Sequence, residues 1–361
     1  MKNTLKKAVC LALALTMTAA LAGCSSKPAV PAETEAPGQT EEAAETEAEA
    51  EAPAPGEAGQ KWKVGFALES MDVAVWNTMS EGMAAKAEEL GVDYTCMTAN
   101  NDVATQIANI ENMITQGYNA IIIHSFDREA FADIVNEAIA AGIVICAYDD
   151  EIIDAATGEP CKYPITFLCD NYEIGRRVGT MACEWALEKY PDEEEIQMGL
   201  LWHHEFEYQQ DRVRGMKDVI AELDPRITIV DEQEGLVVED GVAAAEAWLQ
   251  AYPNLKGVLA TNDTCLLGFS EAWVAAGRDI KDDTFGMWGN DGVADAIDIV
   301  AEGGIIRGDV GLDVYNGGAD ALAACVAILN GESAESVVMP MINVTEETAA
   351  EWMADENLYK K

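Results

Sequence analysis

The sequence predicts a doubly wound α/β fold in two domains. Short apolar runs alternate with helical stripes of about a dozen residues along most of the chain, the pattern of strands joined by crossover helices. Residues 120–151, AIIIHSFDREAFADIVNEAIAAGIVICAYDDE, spell out one complete strand–helix–strand unit. About 300 residues of globular composition also suit two domains of roughly 150 residues each.

Within that unit, 120–124 and 143–148 are nearly unbroken apolar runs, suited to parallel strands covered on both faces. Between them Phe131, Ile134, Val135, Ala138 and Ile139 recur at helical spacing. Asp127 is placed to cap the start of this helix and Gly142 to end it. Asp149 and Asp150 follow the second strand, and ligands of open parallel sheets bind beyond the carboxyl ends of strands.

Taken from the start, Lys2, Lys6 and Lys7 precede an apolar run from Ala8 to Ala20, closed by Leu21-Ala22-Gly23-Cys24. The run is too short to span a bilayer, and its basic front and small-residue end predict a secretory signal over 1–23. The tetrad resembles a bacterial lipoprotein cleavage box, which implies lipid on Cys24 and a protein exported and tethered rather than integral. Residues 24–60 are Pro, Ala, Ser, Gly and Glu with almost no large apolar side chain, so they read as a disordered acidic spacer.

From Val64 the alternation is steady. Val64 to Leu68 reads as a strand; Trp76, Met79, Met83, Ala87 and Leu90 mark a helix closed by Gly91. Val92 to Met97 is the next strand, and Val103, Ile107, Ile110 and Ile114 stripe a helix that ends at Gly117. Later strands are expected near 165–168, 196–202, 227–230, 257–261, 284–288 and 305–310. Helical stripes separate them, such as Val213, Met216 and Ile220, or Ala319, Leu322, Val326 and Leu329.

A formal net charge of −43 argues against nucleic acid or an anionic membrane surface as a partner. There is no glycine-rich dinucleotide turn, phosphate loop or nucleophile elbow, so no cofactor is implied and an enzyme is not expected. Three histidines exist. His203-His204-Glu205 lacks the spacing of a metal site and reads instead as loop residues lining a cleft. Cys96, Cys146, Cys161, Cys169, Cys183, Cys265 and Cys325 form no Cys-x-x-Cys pair and read as free, mostly buried thiols.

Five short motifs stand in order: Ala99-Asn100-Asn101-Asp102 with Gln106; Asp170-Asn171 with Gly175; Arg212 with Gly215-Met216; Asn262-Asp263 with Gly268; and Gly289-Asn290-Asp291-Gly292. With them, residues 61–343 resemble the extracytoplasmic substrate-binding proteins of bacterial ABC transporters, in the ribose, galactose and related monosaccharide group. The resemblance implies two doubly wound Rossmann-like domains joined by three crossovers, the type I clamp. One domain would be 61–168 plus 313–339, the other 169–312 plus 340–361, with crossovers near Leu168, 288 and 312.

The resemblance also implies contacts. Asp149 matches a sugar-hydroxyl acceptor, Asn262 a carboxamide, Asp291 the acceptor of the second domain, and Trp76 an aromatic that covers the ring. Such groups suit a polyhydroxy ligand, because carboxylates accept from hydroxyls and an aromatic face covers C–H groups. The chain departs from the pattern at Asp150 and Gln210, where arginines are expected, at Leu236 and Leu312, and at Glu69 and Val73. Trp202, His203, Glu205 and Tyr208 are expected on the second domain's side, and Trp288 as a second aromatic wall. Convergence of Glu69, Asp149, Asp150 and Asp291 would favour a cation, hence an amino sugar or other protonated polyol beside neutral sugars.

The expectation is therefore a monomeric binding protein, lipid-anchored on the outer face of the cytoplasmic membrane. It would capture a small monosaccharide, polyol or amino sugar by clamp closure and pass it to a permease and its ATPase. A receptor for a furanosyl autoinducer or for chemotaxis, and a nucleoside-binding lipoprotein, are the alternatives.

Overall fold

A computed structural model describes residues 61–360. The segments 1–23 and 24–60, with Cys24, lie outside the described residues.

The first lobe begins β1 (Lys63–Leu68), α1 (Ala74–Leu90), β2 (Asp93–Thr98), α2 (Val103–Thr115), β3 (Ala120–His124), α3 (Ala132–Ala140) and β4 (Val144–Asp149). A small hairpin, β5 (Ile153–Asp154) and β6 (Glu159–Pro160), leads to β7 (Ile165–Leu168). The second lobe runs α4 (Asn171–Lys189), β8 (Ile196–Leu201), α5 (Glu207–Leu223), β9 (Ile227–Gln233), α6 (Val238–Ala251) and β10 (Leu255–Ala260). It continues through α7 (Asp263–Ala275), β11 (Gly286–Asp291), α8 (Ala294–Ala301) and β12 (Ile306–Leu312). The chain then returns to the first lobe for α9 (Val314–Leu329) and β13 (Val337–Val338), and ends in the second with β14 (Met341–Thr345) and α10 (Ala349–Met353).

The first sheet has the order β2-β1-β3-β4-β7-β13 and is parallel throughout. The second has the order β9-β8-β10-β11-β12-β14, parallel except for β14. Numbered within each lobe, both read 2-1-3-4-5-6. Helices cover both faces, so the middle strands are buried along their whole length: β3, β4 and β11 have no exposed residue.

The chain crosses between lobes at 168–171, 312–314 and 338–341. The expected crossing near 288 is absent, because β11 pairs with β10 and β12 inside the second sheet. Asp127 does not cap α3. It accepts the amides of Glu129 and Ala130 in a preceding turn, and α3 starts after Phe131. Gly142 does follow the end of α3, at φ +80°, a conformation that suits glycine.

Three helix pairs approach until only glycine fits, α6 and α7 through Gly241 and Gly268 among them. A Cβ on Gly175 would stand 1.8 Å from the Arg212 carbonyl, and one on Gly215 would stand 2.1 Å from that of Tyr172. This contact locks α4 against α5 and sets the height of Arg212. Gly82 and Gly318 do the same for α1 and α9.

Candidate functional site

The carboxyl ends of the two sheets face a common gap of about 400 Å3, mouth included. From the first lobe it is lined by Trp76 of α1, His124 at the end of β3 and Asp149 at the end of β4. From the second come Gln209 and Arg212 of α5, Asn262 just beyond β10 and Asp291 at the end of β11. Asp149 and Asp291 therefore hold equivalent places, each ending the fourth strand of its lobe. Both have left-handed backbone, φ +69° and +125°, which non-glycine residues adopt only where the surroundings compel it.

His124 organises the first lobe's side. Its Nε2 lies 3.4 Å from Asp149 Oδ2 and its Nδ1 3.6 Å from Glu69 Oε2. Burial works against a charged imidazole, but the two carboxylates prevail and hold its pKa up at about 10. Burial likewise pushes Asp149 upward, yet the hydrogen bond and charge of His124, helped by Arg212, hold it down at about 2. Glu69 is raised by burial, against the pull of His124 and of the Tyr208 hydroxyl, which donates to Oε1 at 3.1 Å.

On the second lobe's side Arg212 donates Nε to Asn171 and Nη1 to the Thr261 carbonyl, both at 2.8 Å. That fixes its guanidinium 3.8 Å from Asp291 Oδ1 and over the ring of Tyr208. Burial raises Asp291 to about 7, with Arg212 opposing and Asp309 behind it adding to the rise. Each acid that lines the gap thus has a fixed cation beside it.

Trp76, Asp149, Asn262 and Asp291 line the gap, as do Val73, Tyr208, Leu236 and Leu312. The other expected contacts lie elsewhere. Glu69 is fully buried behind His124 and Tyr208 and bridges the lobes instead. Asp150 turns outward to Arg128, Nε to Oδ2 2.7 Å, and Arg128 reaches across to Asp211 at 2.5 Å. His203 stacks on Phe206 with ring centres 3.8 Å apart. Gln210 is on the exposed side of α5 and donates to the His204 carbonyl; Gln209 and Arg212 occupy the inner side. Trp202 donates to Glu232, and Glu205 is exposed. Trp288 sits three residues back from the strand end, roughly 10 Å at strand rise, and packs in the core against Trp185.

Sequence reasoning missed His124 and gave Arg212's place to Gln210. His124 was open to discovery by the rule that found Asp149, since it ends the neighbouring strand. Arg212 stands one residue before the apolar stripe Val213, Met216, Ile220, on the buried flank of that helix. The convergence of four unbalanced acids does not occur. Among the described residues no group of three or more His, Cys, Asp or Glu is arranged to hold a metal ion. The seven cysteines among the described residues are free.

A family model described as a periplasmic binding protein domain matches residues 64–333. The chain is similar to the D-ribose/D-allose-binding protein of Pseudomonas aeruginosa, 30% identical over 225 residues that cover 61% of this chain and 68% of that protein. It is also similar to the putative rhizopine-binding protein of Rhizobium meliloti, 28% identical over 295 residues, 80% of this chain and 92% of that protein. A solved solute-binding protein of an ABC transporter from Bacillus halodurans C-125, with bound myo-inositol, superposes with a TM-score of 0.71. It is 25% identical, over 83% of this chain and 99% of that one. The named relatives are binding proteins, not enzymes.

Proposed function

The chain belongs to the periplasmic binding protein family, and from that premise we propose that it captures a neutral polyhydroxy solute, a monosaccharide or a cyclic polyol, for an ABC importer. The observation that carries this reading is the facing pair Asp149 and Asp291, one from each lobe on one gap, with His124 and Arg212 as their fixed counter-charges. Two carboxylates accept from hydroxyls, Arg212 donates to a ring or hydroxyl oxygen, and the face of Trp76 covers C–H groups. The internal charge balance favours a neutral solute over the amino form, which would bring a cation to acids already paired.

A ligand that touches both lobes favours the closed form, and the permease and its ATPase would read that form. The reading includes lipid attachment at Cys24, with residues 24–60 as a spacer and the protein acting as a monomer on the outer face of the cytoplasmic membrane. It is supported by relatives named for D-ribose/D-allose binding and by a relative solved with myo-inositol.

Calorimetric titration with D-ribose, D-allose, myo-inositol and their amino counterparts tests it, after unfolding and refolding to strip carried-over ligand. One-to-one binding of a neutral member is expected, weakened at least roughly tenfold by Asp149→Asn or by Asp291→Asn. Tighter binding of the amino members would reverse the charge argument, and silence across the panel would remove the sugar reading.

A further inference from the structure

The strand that ends in Asp291 passes two further acids before it reaches the gap. Asp309 of β12 stands opposite Gly289 of β11, and by the alternation of side chains Asp309, Gly289 and Asp291 share one face of the sheet. Asp263 opens α7 over the same place. Its Oδ1 lies 3.1 Å from where a Gly289 side chain would begin, and its amide donates to Asp291 Oδ2 at 3.5 Å. The missing side chain of Gly289 thus leaves a hollow with three carboxyl groups around it. Asp263 and Asp309 are wholly buried.

One oxygen of this group is satisfied by the chain: Asp263 Oδ2 accepts the Val293 amide at 2.8 Å. Asp263 Oδ1 and both oxygens of Asp309 make no hydrogen bond to a donor group. Two carboxyl groups in contact, buried and with oxygens to spare, are reconciled by one proton between them. Asp263 is the acid. Burial pushes its carboxyl well up, and the charge and contact of Asp309, with the charge of Asp291, add to the rise. Burial raises Asp309 as well, but the contact with Asp263 opposes it, as suits the acceptor of that proton. The charged groups around the pair are Asp291 from β11 and, beside it, Arg212 from α5. Cys265 of α7 is kept neutral by its own burial, β14 brings Val344 against Asp309, and the buried residues of α8 and α10 carry no ionisable group.

We propose that Asp263 keeps a buried proton and donates it to Asp309, and that the Asp309 carboxylate so fixed is a positioning residue for solute capture. It stands behind Asp291 and sets the pH at which Asp291 ionises to accept the solute's hydroxyls. Capture is then linked to release of a proton near neutral pH. Only this last step rests on the polyol-binding reading above.

Carboxyl-carbon NMR of the intact chain labelled at aspartate reads both acids without solute, each signal identified by its loss in Asp263→Asn or Asp291→Asn. Asp263 should hold the protonated shift through pH 7, and the Asp291 midpoint should fall by about one unit in Asp309→Asn. Stability supplies a second measurement. A folded pKa above the ordinary carboxyl range costs stability as pH rises, and asparagine at 263 keeps the donor without the proton. The Tm of Asp263→Asn relative to the parent should therefore climb from pH 5 to pH 8. Calorimetry with D-ribose and myo-inositol should show Asp309→Asn binding several-fold tighter than the parent at pH 6 and about equally at pH 8. An Asp263 signal that titrates in the ordinary carboxyl range, or a relative Tm that stays flat or falls, overturns the buried proton. A parent Tm raised by calcium chloride does the same, since a cation would then occupy the hollow. An Asp291 midpoint unmoved by Asp309→Asn overturns the positioning role. The expected NMR shifts with both solutes silent would uphold the proton pair and remove the polyol reading alone.

Discussion

The charge balance of the cleft turns on His124, and its sign can be read in stability. Its folded pKa, about 10, lies above the ordinary 6.5. The stabilisation it contributes is therefore complete below 6.5 and is lost as pH rises through 10. Tm should fall between pH 7 and pH 10, and His124→Gln should flatten that fall while lowering Tm at pH 7; equal slopes in the two proteins would refute the assignment. Asp291 is also raised, to about 7, so its protonated form favours folding at low pH and the advantage disappears as pH rises through 7. Binding follows the other sense, since only the ionised group accepts freely from hydroxyls. Affinity for the solute should rise several-fold from pH 6 to pH 8, a dependence that Asp291→Asn should abolish in titrations. At this scale the strand-end rule led to Asp149, the family resemblance supplied Asp291, and the rule applied equally to His124. It gave no guidance on side chains one or two positions away. Asp150 and Gln210 each follow a residue that lines the gap and are turned away from it, and Trp288 stops three residues short of it.

At the scale of elements, the same close approach that packs α4 on α5 positions a cleft residue. Gly175 meets the Arg212 carbonyl itself, so Gly175→Ala must separate the helices at the turn that carries the guanidinium. Overpacking of this kind costs roughly 3 kcal/mol. Denaturant titration should show that loss, and solute affinity should fall as well because Arg212 moves away from Asp291. Full stability in the alanine variant would mean that the two helices slide freely. Most strands and helices were legible because a strand buried on both faces is an unbroken apolar run and a helix against it is a stripe. The two-residue strands β5, β6 and β13 were not, since two residues carry no period. The crossing expected at 288 came from the resemblance, and it fails because β11 pairs with β10 and β12 in the second sheet, a pairing that apolar runs do not reveal.

At the scale of the molecule, one seam of polar contacts joins the lobes beside the cleft, apart from the Asn357–Asn316 contact near the C-terminal end. Tyr208 donates to Glu69, Arg128 pairs with Asp211, and the Arg128 amide donates to Glu207 at 2.7 Å. Phe126 packs on Phe206 beside them, ring centres 5.2 Å apart. On the first lobe's side the seam is made by Glu69, just beyond β1, and by residues 126–128, just beyond β3; on the second it lies at the start of α5. The last two are the segments that place His124 and Arg212 in the cleft. Closure of the seam and assembly of the site are thus one movement. Opening about the three crossings would break the seam without disturbing either core, so weakening it should change the open–closed balance and leave folding nearly intact. Apparent affinity scales with the fraction of molecules already competent to bind, so a tenfold loss of closed form is about a tenfold loss of affinity. Arg128→Ala combined with Tyr208→Phe should enlarge the ligand-free molecule in small-angle scattering and weaken binding by roughly tenfold, mainly through faster release. Saturating ligand should return the variant to the compactness of the liganded parent, because the ligand contacts both lobes whether or not the seam is present. A variant that stays as compact as the parent without ligand, yet binds more weakly, would place the loss in the cleft and deny the seam its part in closure.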